Sequence, residues 1–376
     1  MHIKVNRQNF LSAMRIVEKA IKENKIKPVL SCVYIKIKDN KLNFCGTNLE
    51  NTIKTSIDIE EVITAGEIAF HYSIIDEYLK EIKDDIITLR VEEGNVLFIE
   101  TEDSTTEFAV FSTEDYPNSF DEIILNDNNL KFEMSSDELI DAFEKIIFAA
   151  DSPDNIAMNC IRIESILKHL HFVATNTYRL AFLKKAISTD VENFSVSVPA
   201  DAVNSIIKIL KTAEVDTVRV YQDYSHLYFV YKNIIIVTKL IELRFPDYIK
   251  ILTNSKYDKK MTIGVEKFTN ILKRVSIFSR SNFESKYATT YKFENSKMCV
   301  SALNDIAKIN EEIAVDFTGE DLKISLNVKF LLEFIQNIDK EKEIELEFMY
   351  SNSSVKVYEK DRDDYLYILM PLALRD

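Results

Sequence analysis

The residues that most often perform chemistry in proteins show no reactive spacing in this chain. The four cysteines occur without a C-x-x-C pair, at Cys32, Cys45, Cys160 and Cys299. The five histidines occur without an H-E-x-x-H pattern, at His2, His71, His169, His171 and His226. Close pairs of carboxylates carry no information, because the chain has 61 acidic residues. We therefore predict reduced, buried thiols, no catalytic residue, no metal site and no cofactor.

Glycine is scarce, and its distribution excludes two classes of nucleotide site. The chain has 5 glycines, and neighbouring ones are at least 20 positions apart. Dinucleotide-binding and Walker-type phosphate loops both need clustered glycines. The N-terminus has charges throughout and no apolar core, so it does not resemble a signal peptide. No apolar run reaches the roughly 18 residues that cross a membrane, so we predict a cytoplasmic protein without membrane contact.

Length and charge set limits on the architecture. A chain of 376 residues corresponds to two to four domains at about 100–200 residues each. With 46% hydrophobic residues, it can bury a large core. The net charge of −14 argues against a protein that holds nucleic acid by general attraction. Any surface for nucleic acid must therefore be a local one.

The chain repeats one pattern three times. Three strand–helix segments place an apolar residue at a constant interval of 129 positions, at Phe10, Leu139 and Phe268. Two further landmarks recur every 128 positions. One is an asparagine after a strand, at Asn48, Asn176 and Asn304. The other is the start of a second helix, at Tyr72, Ala200 and Val328. Such agreement indicates triplication, and coincidental patterning of similar elements is the alternative.

Each copy has the order strand, helix, alternating strands, helix and further strands. The strands are apolar on one face, which predicts antiparallel sheets with helices packed on one side. The predicted fold class is α+β, with three repeated domains of antiparallel sheet plus two helices that together form an arc. The predicted domains are residues 1–124, 125–252 and 253–376.

The predicted helices share one polar feature, a basic stripe on the exposed face. Arg15, Lys19 and Lys22 are spaced by four and three, which places them on one helix face. The other helices contribute the following basic residues: Lys80, Lys83, Lys145, Lys208, Lys211, Lys267, Arg274 and Lys329. Nearby acids dilute the stripes, and simple solvation of exposed helices is the alternative explanation for any one lysine.

Over its whole length the chain resembles the bacterial DNA sliding clamps, the beta subunits of DNA polymerase III. The resembling stretches include KPVLSCVYIKI, FCGTNLE, FVATNTYRLAF, KLIELRFPDYIKIL, ISLNVKFLLEFI and YILMPL. Their order and spacing are specific, although no single one is. The resemblance implies the DNA clamp fold, closed into a ring by a head-to-tail homodimer. It also implies a processivity factor without catalytic activity.

The resemblance assigns roles to individual residues of the ring. Helices would line a hole that holds duplex DNA topologically, with the basic residues above facing the phosphates. Loop residues near the DNA would be Asn24, Lys25, Lys27, Ser152 and Asn155. Asn24 stands where an arginine is usual. At the dimer interface, Ile277 and Phe278 of the third domain would meet Phe108 and Val110 of the first. Burial of all four within their own domains is the alternative.

The resemblance also implies a pocket that binds a short peptide motif of partner proteins. Its lining would be Met158, Thr175, Thr177, Tyr178, Arg179, Leu180, Pro246, Lys250, Ile251, Phe283, Asn327, Phe330, Asn352, Ser354, Ile368, Leu369, Met370, Pro371 and Leu372. The Leu, Ile, Met and Pro side chains predict an apolar slot, and Arg179, Asn327 and Ser354 a few orienting polar groups. Thr177-Tyr178 replaces a common Gly-His, which predicts a narrower rim. Ala373 replaces a frequent basic residue.

The implied partners are a second copy of the chain, duplex DNA, the polymerase catalytic subunit, the clamp loader and other proteins with the motif. The main alternative is a clamp-fold paralogue that acts as a non-catalytic scaffold with different partners. An enzyme on a triplicated scaffold is a third hypothesis, and it lacks the clustered polar groups that it would need.

Overall fold

The computed structural model describes residues 1–92, 96–117, 125–187, 191, 194–212, 216–253, 256–280 and 286–374. Every structural statement below concerns these residues. The strands of the first repeat are β1 (His2–Asn6), β2 (Val33–Lys38), β3 (Lys41–Thr47), β4 (Asn51–Asp58), β5 (Glu61–Thr64), β6 (Glu67–Phe70), β7 (Ile86–Glu92), β8 (Val96–Glu100) and β9 (Thr105–Ala109).

The other two repeats follow the same order. The central strands are β10 (Leu130–Ser135), β11 (Cys160–Ile166), β12 (His169–Thr175), β13 (Arg179–Ala186), β14 (Ser195–Pro199), β15 (Thr217–Gln222), β16 (His226–Tyr231) and β17 (Ile234–Lys239). The C-terminal strands are β18 (Lys259–Gly264), β19 (Ala288–Glu294), β20 (Lys297–Leu303), β21 (Lys308–Ala314), β22 (Asp316–Thr318), β23 (Leu322–Asn327), β24 (Glu343–Phe348), β25 (Val355–Glu359) and β26 (Tyr365–Leu369).

Two long helices accompany each repeat, as the sequence predicts. They are α1 (Arg7–Val17), α2 (Tyr72–Glu81), α3 (Ser136–Ile147), α4 (Ala200–Thr212), α6 (Val265–Ser279) and α7 (Val328–Ile335), and a short α5 (Tyr248–Thr253) lies between the last two repeats. The predicted second-helix starts at Tyr72, Ala200 and Val328 are confirmed. Their apolar stripes face the core. For example, α1 buries Phe10 and Met14 at helical spacing.

A type I′ hairpin turn recurs at one position of every repeat. Two consecutive residues have φ between +48° and +60° in each copy, at Asp39-Asn40, Leu167-Lys168 and Asn295-Ser296. Two positive φ values in a two-residue loop match the right-handed twist of the flanking strands. Only the first of these pairs has favourable turn residues throughout. In the later copies the sheet imposes the turn on Leu167, Lys168 and Ser296.

The chain forms two compact units, each built from two antiparallel sheets. The first comprises residues 1–137 with 204–240, and the second comprises residues 138–203 with 241–376. The first unit has a five-stranded sheet, β5-β1-β7-β8-β9, and an eight-stranded sheet, β10-β15-β16-β17-β4-β3-β2-β6. The second unit has a nine-stranded sheet, β14-β11-β12-β13-β26-β25-β24-β18-β22, and a four-stranded sheet, β21-β20-β19-β23.

Each unit contains one junction at which a sheet continues from one repeat into the next. In the first unit β17 pairs with β4, and Thr238 lies opposite Asn51. In the second unit β26 pairs with β13, and Leu369 lies opposite Arg179. The two junctions are equivalent, because Asn51 and Arg179 are 128 positions apart.

We predict that Gly46→Ala destabilises the first unit. A Cβ at Gly46 would lie 2.2 Å from the Val17 carbonyl oxygen, which is backbone and cannot rotate away. The expected loss of unfolding free energy is about 1–3 kcal/mol, measured by urea unfolding. Gly264→Ala is the matched control, because a Cβ there meets nothing within 4 Å. Equal stability of the two variants would contradict the clash.

Candidate functional site

Six of the predicted pocket residues meet where β13 pairs with β26. Leu180 lies opposite Ile368 in this ladder, and the backbone N–H of Met370 donates to the Tyr178 carbonyl oxygen at 2.8 Å. Two predicted segments that are far apart in sequence are therefore joined by backbone hydrogen bonds. The β13–β26 ladder thus places residues 178–180 beside residues 368–370.

A tight turn presents the start of β13. Thr175 donates its hydroxyl to the Arg179 carbonyl oxygen at 2.7 Å, and Thr177 has a φ of +73°. Left-handed φ favours glycine, so threonine is tolerated here because the turn is hydrogen-bonded on both sides. Tyr178 at the tip is 62% exposed. A large aromatic ring thus borders the apolar surface.

One face of this ladder carries an apolar cluster. Leu180 and Ile368 pack with the aromatic rings of Phe182, Phe245 and Tyr248. The segment that contains Pro246 and α5 covers the cluster. Around it the apolar side chains of Tyr178, Met370 and Ile251 are between 37% and 62% exposed. The site therefore has a buried apolar floor and an exposed apolar rim, which suits an inserted apolar side chain.

The opposite face of the ladder engages Arg179. Its guanidinium pairs with Glu333 of α7 and donates to the Phe148 carbonyl oxygen. It also stacks on the Phe330 ring at 4.1 Å. Leu180 faces the apolar cluster instead, because successive strand residues point to opposite faces. The buried Nε of Arg179 has no hydrogen-bond partner among the described residues.

The other described residues of the predicted pocket lie in several segments of the second unit. The Asn327 side chain caps α7 by accepting from the backbone N–H groups of Lys329 and Phe330. Lys250 pairs with Asp247 at 2.8 Å. Leu372 donates its backbone N–H to the Ser325 carbonyl oxygen at 2.8 Å. Asn352 and Ser354 belong to the β24–β25 connection, Met158 precedes β11, and Pro371 follows β26. Phe283 lies outside the described residues.

A polar network lies beneath the apolar cluster. The Tyr248 hydroxyl donates to the Glu164 carboxylate at 2.7 Å and lies 3.0 Å from Nδ1 of His171. Since the hydroxyl proton goes to Glu164, the His171 Nδ1–H must be the donor to Tyr248. Burial lowers the pKa of His171, although the carboxylate of Glu164 opposes the shift. Sequence reasoning misses Tyr248 and Glu164 as parts of this site, because nothing in their spacing predicts that they meet.

Five of the predicted DNA-facing basic residues form ion pairs with carboxylates of the same unit. Arg15 and Lys80 share Asp76, with Arg15 Nε 2.6 Å from its carboxylate. Burial raises the pKa of Asp76, but hydrogen bonds from these two cations lower it by more. The pKa of Asp76 is therefore below its usual value. The other predicted DNA-facing cations that pair with a carboxylate form the pairs Lys145–Asp141, Arg274–Glu311 and Lys329–Glu333. Sequence reasoning finds three of these acids, Asp76, Asp141 and Glu333, beside the basic stripes, and it misses Glu311.

The other predicted DNA-facing residues are bound to backbone or lie at exposed positions. Lys19 donates to the Arg15 carbonyl oxygen, and Lys267 donates to that of Ala314. The Asn24 carboxamide accepts from two backbone N–H groups of its loop, and Asn155 donates to Asp151. Residues at exposed or partly exposed positions are Lys22, Lys25, Lys27, Lys83, Ser152, Lys208 and Lys211.

The four predicted interface residues lie in two elements, β9 with the residue after it and the end of α6. Phe108 is on β9, where its ring lies 5.7 Å from that of Tyr78, and Val110 follows this strand. Ile277 and Phe278 are in the last turn of α6, where Ile277 is 53% exposed. None of the four is fully buried.

The site consists of surfaces that can bind a ligand or a partner. Among the described residues, no group of three or more His, Cys, Asp or Glu side chains could hold a metal ion. No described helix is long and apolar enough to cross a membrane. What the described residues do offer is an apolar slot, a polar network that braces it, and helices with nearly balanced charge.

We predict that His171 makes stability depend on pH. The folded chain resists protonation of this buried imidazole, whereas the unfolded chain takes up the proton near pH 6.5. Stability from His171 is therefore complete above that pH and is lost as the pH falls. His171→Asn, which keeps an N–H donor, should lose less stability than the wild type between pH 7.5 and 5.5 in urea unfolding.

The control is Leu167→Asn, which exchanges an 88% exposed side chain without removing a titratable group. This variant should keep the wild-type pH dependence. If His171→Asn and the wild type lose the same stability over this range, burial of His171 is not the cause.

Comparison with known proteins places this geometry in a family. Three family models match consecutive parts of the chain, all of them domains of the DNA polymerase III beta subunit. The N-terminal domain matches residues 1–120, the central domain 133–247 and the C-terminal domain 252–373.

Single relatives agree over the whole chain. The beta sliding clamp of Pseudomonas aeruginosa is 25% identical, with 100% of both chains covered. The crystal structure of the polymerase III beta subunit from that organism has a TM-score of 0.91 at 24% identity, covering 99% of this chain and 100% of that one. A structure of its sliding clamp bound to griselimycin has a TM-score of 0.88 at 25% identity, with 100% of both chains covered. With the DNA clamp fold, and with family models matching nearly all of its length, the chain belongs to the DNA polymerase III beta subunit family, the bacterial sliding clamps.

Proposed function

We propose that this chain forms a head-to-tail dimeric ring that encircles duplex DNA and tethers DNA polymerase III and other proteins through the pocket at Leu180 and Ile368. The observation that carries this proposal is that two strands, β9 and β21, each have one edge without a neighbouring strand among the described residues. They are equivalent to the strands that pair at the two junctions within the chain. The three domains that we propose for each subunit are residues 1–124, 125–252 and 253–376.

The edges follow from the repeat. β9 is the counterpart of β17 and β26, because each is the last strand of its copy. β21 is the counterpart of β4 and β13. The pairs β17–β4 and β26–β13 are formed within the chain, whereas β9 and β21 each end a sheet. Exposed strand edges invite pairing with another chain. A β9–β21 pair between two copies would be heterologous, and two such contacts would close a ring.

The junction registers predict which residues meet. Phe108 is opposite Leu97 on β8, as Thr238 is opposite Leu227 on β16, so Phe108 and Thr238 are counterparts. Thr238 pairs with Asn51, whose counterpart 256 positions later is Ala307. Phe108 should therefore lie opposite Ala307 of the second copy. One step along the antiparallel ladder, Glu107 should lie opposite Lys308.

Helix contacts within the chain also predict helix contacts at the proposed dimer interface. In the first unit Ser205 of α4 donates to the Lys19 carbonyl oxygen. In the second unit Glu333 of α7 and the Phe148 carbonyl oxygen both bind Arg179. Lys19 and Phe148 are both counterparts of Ile277 in the 129-residue repeat. This equivalence supports an interface in which the exposed Ile277 packs near α2 of the partner, beside Phe108.

The charge on the helices suits a ring that slides. Binding to DNA strengthens with the number of phosphates that Lys and Arg neutralise. Here Asp76, Asp141 and Glu311 already balance cations of the predicted DNA-facing set. Topological enclosure would then retain the DNA, while weak phosphate contacts would let the ring move. A separate ATP-driven loader would have to open it.

The pocket supports the tethering role. Its apolar floor and exposed rim suit the Leu and Phe side chains of a short peptide motif. The related sliding clamp bound to griselimycin supports ligand binding by this family. Polymerase activity would reside in partner subunits, and the protein would act in the cytoplasm. The shared pocket favours this role over that of a scaffold with unrelated partners.

We predict that a fluorescent peptide with a glutamine-then-leucine-and-phenylalanine motif binds with micromolar affinity. Leu180→Ala, Met370→Ala should weaken binding at least tenfold, because it removes apolar surface from the floor and the rim. Fluorescence polarisation measures the effect. Leu180 is only 2% exposed, so its replacement could disturb folding. The single variant Met370→Ala avoids this problem, because Met370 is 41% exposed, and it should weaken binding in the same direction.

The matched control is Ile26→Ala, Leu167→Ala, which removes two apolar side chains that are 92% and 88% exposed elsewhere. It should bind like the wild type. A folded, dimeric wild type that does not bind the peptide would contradict the tethering role and leave the clamp fold in place.

We predict that a charge exchange reports the register of the dimer. Glu107→Lys or Lys308→Glu alone places like charges opposite each other at both interfaces of the ring. With opposite-charge pairs worth about 0.2–1 kcal/mol each, the dimer Kd should rise about tenfold. The double variant Glu107→Lys, Lys308→Glu should restore the affinity. Sedimentation velocity measures it, and a double variant no tighter than the single ones would refute this register.

A further inference from the structure

The segment that borders the pocket, residues 245–253, is attached to the sheet at Tyr248. The ring of Tyr248 is buried in the apolar cluster, and its centroid lies 6.1 Å from that of Phe182. Its hydroxyl reaches past this cluster to the Glu164 carboxylate at 2.7 Å and to Nδ1 of His171 at 3.0 Å. One side chain thus contributes to the apolar floor and also binds two strands, β11 and β12.

Two adjacent rows of the sheet explain this arrangement. Glu164, His171 and Lys184 lie opposite one another on β11, β12 and β13, and they form a polar row. Two residues earlier on β13, Phe182 belongs to the apolar row. Residues two apart on a strand, and residues directly opposed in a ladder, point to the same face of the sheet. Tyr248 therefore spans from the apolar row to the polar one.

The group that accepts the Tyr248 hydroxyl proton is itself held in place. Glu164 also accepts a hydrogen bond from Ser195 Oγ at 2.7 Å, and the guanidinium of Arg162 lies 3.9 Å from its carboxylate. Burial and the hydrogen bond to Glu164 raise the pKa of Tyr248, so its hydroxyl remains a donor well above neutral pH. A hydrogen bond to a charged acceptor is also stronger than a neutral one. The attachment is therefore a strong and directional one.

The segment depends on such an attachment. Other hydrogen bonds of the segment are local, since Lys250 pairs with Asp247 at 2.8 Å and Thr253 donates to the Ile249 carbonyl oxygen at 2.8 Å. These contacts shape α5 itself. A helix of six residues is too short to be stable alone. Its order must therefore come from its contacts with the sheet.

The other two copies of the repeat have different residues at the polar row. Each copy has two opposed residues at this point of its ladder. They are Glu164–His171 in the second copy, Lys36–Asn43 in the first and Lys292–Cys299 in the third. Neither of the other pairs includes a carboxylate. A feature that the scaffold itself required would recur in all three copies, whereas this pair occurs in the copy whose β13 carries the pocket. The comparison favours a role at the pocket over a role in general folding.

We propose that Tyr248 is a positioning residue for peptide binding, whose hydroxyl, held between Glu164 and His171, fixes residues 245–253 in the form that borders the pocket. This inference rests on the proposed tethering function. A segment that is already ordered does not have to lose conformational freedom when the peptide binds. Because Tyr248 is only 3% exposed, loss of its hydroxyl should weaken peptide binding without removing an exposed group of the pocket.

The test is Tyr248→Phe, which keeps the ring and removes the hydroxyl. For the fluorescent peptide with the glutamine-then-leucine-and-phenylalanine motif, we expect a Kd about fivefold higher than that of the wild type, the effect of about one hydrogen bond. Hydrogen–deuterium exchange of residues 247–253 should be faster in the free variant. It should match that of the wild type at saturating peptide, which a general loss of stability would not produce.

Glu164 offers a rescue by a conservative variant. Glu164→Gln keeps an oxygen that accepts from the Tyr248 hydroxyl, so its peptide affinity should stay close to that of the wild type. Glu164→Leu removes the acceptor and should resemble Tyr248→Phe. The matched control is Tyr358→Phe, which removes a hydroxyl that donates to Glu347 at 2.8 Å in the same unit. This control should bind the peptide like the wild type.

Equal peptide affinity of Tyr248→Phe and the wild type would overturn the proposal and leave the tethering function in place. Equal losses of affinity in Tyr248→Phe and Tyr358→Phe would also overturn it, because the effect would then come from general destabilisation. A folded wild type that does not bind the peptide would overturn the tethering function together with this role of Tyr248.

Discussion

Pairing of strand edges between repeats is the interaction on which the rest of this structure depends. Each repeat alone would leave a row of unpaired backbone N–H and C=O groups along its outermost strands. β17 against β4 and β26 against β13 satisfy these groups and extend the sheets to eight and nine strands. In the ring that we propose, β9 and β21 would pair in the same way with a second copy, so that every repeat would have equivalent neighbours.

Side chains on the two faces of β13 make different contacts. On β13, Leu180 contributes to the apolar floor of the pocket, while its neighbour Arg179 is held by Glu333 and Phe148 on the other face. The proposed peptide pocket and the contacts of Arg179 with α7 and Phe148 thus involve consecutive residues. The alternation of strand side chains makes this possible without extra loops.

Repetition of the backbone does not imply repetition of the chemistry. Lys54 and Phe182 occupy the same position of their ladders, and one lines a basic cleft while the other fills an apolar cluster. Likewise the predicted DNA-facing cations are balanced by acids at different positions in the copies, Asp76 in the first and Glu311 in the third. Triplication supplies three similar scaffolds, and their side chains then create different local environments.

The sequence by itself determined the repeat, the fold class and the starts of the second helices, because these depend on local periodicity that recurs at constant intervals. It also pointed, through family resemblance, to the segments around Leu180 and Met370 that the β13–β26 ladder joins. Only the tertiary structure decided that Arg179 faces Glu333, that Tyr248 links His171 to Glu164, and that Glu311 balances Arg274. These contacts join residues far apart along the chain, and their partners are chosen by strand register and packing, which local sequence patterns do not encode.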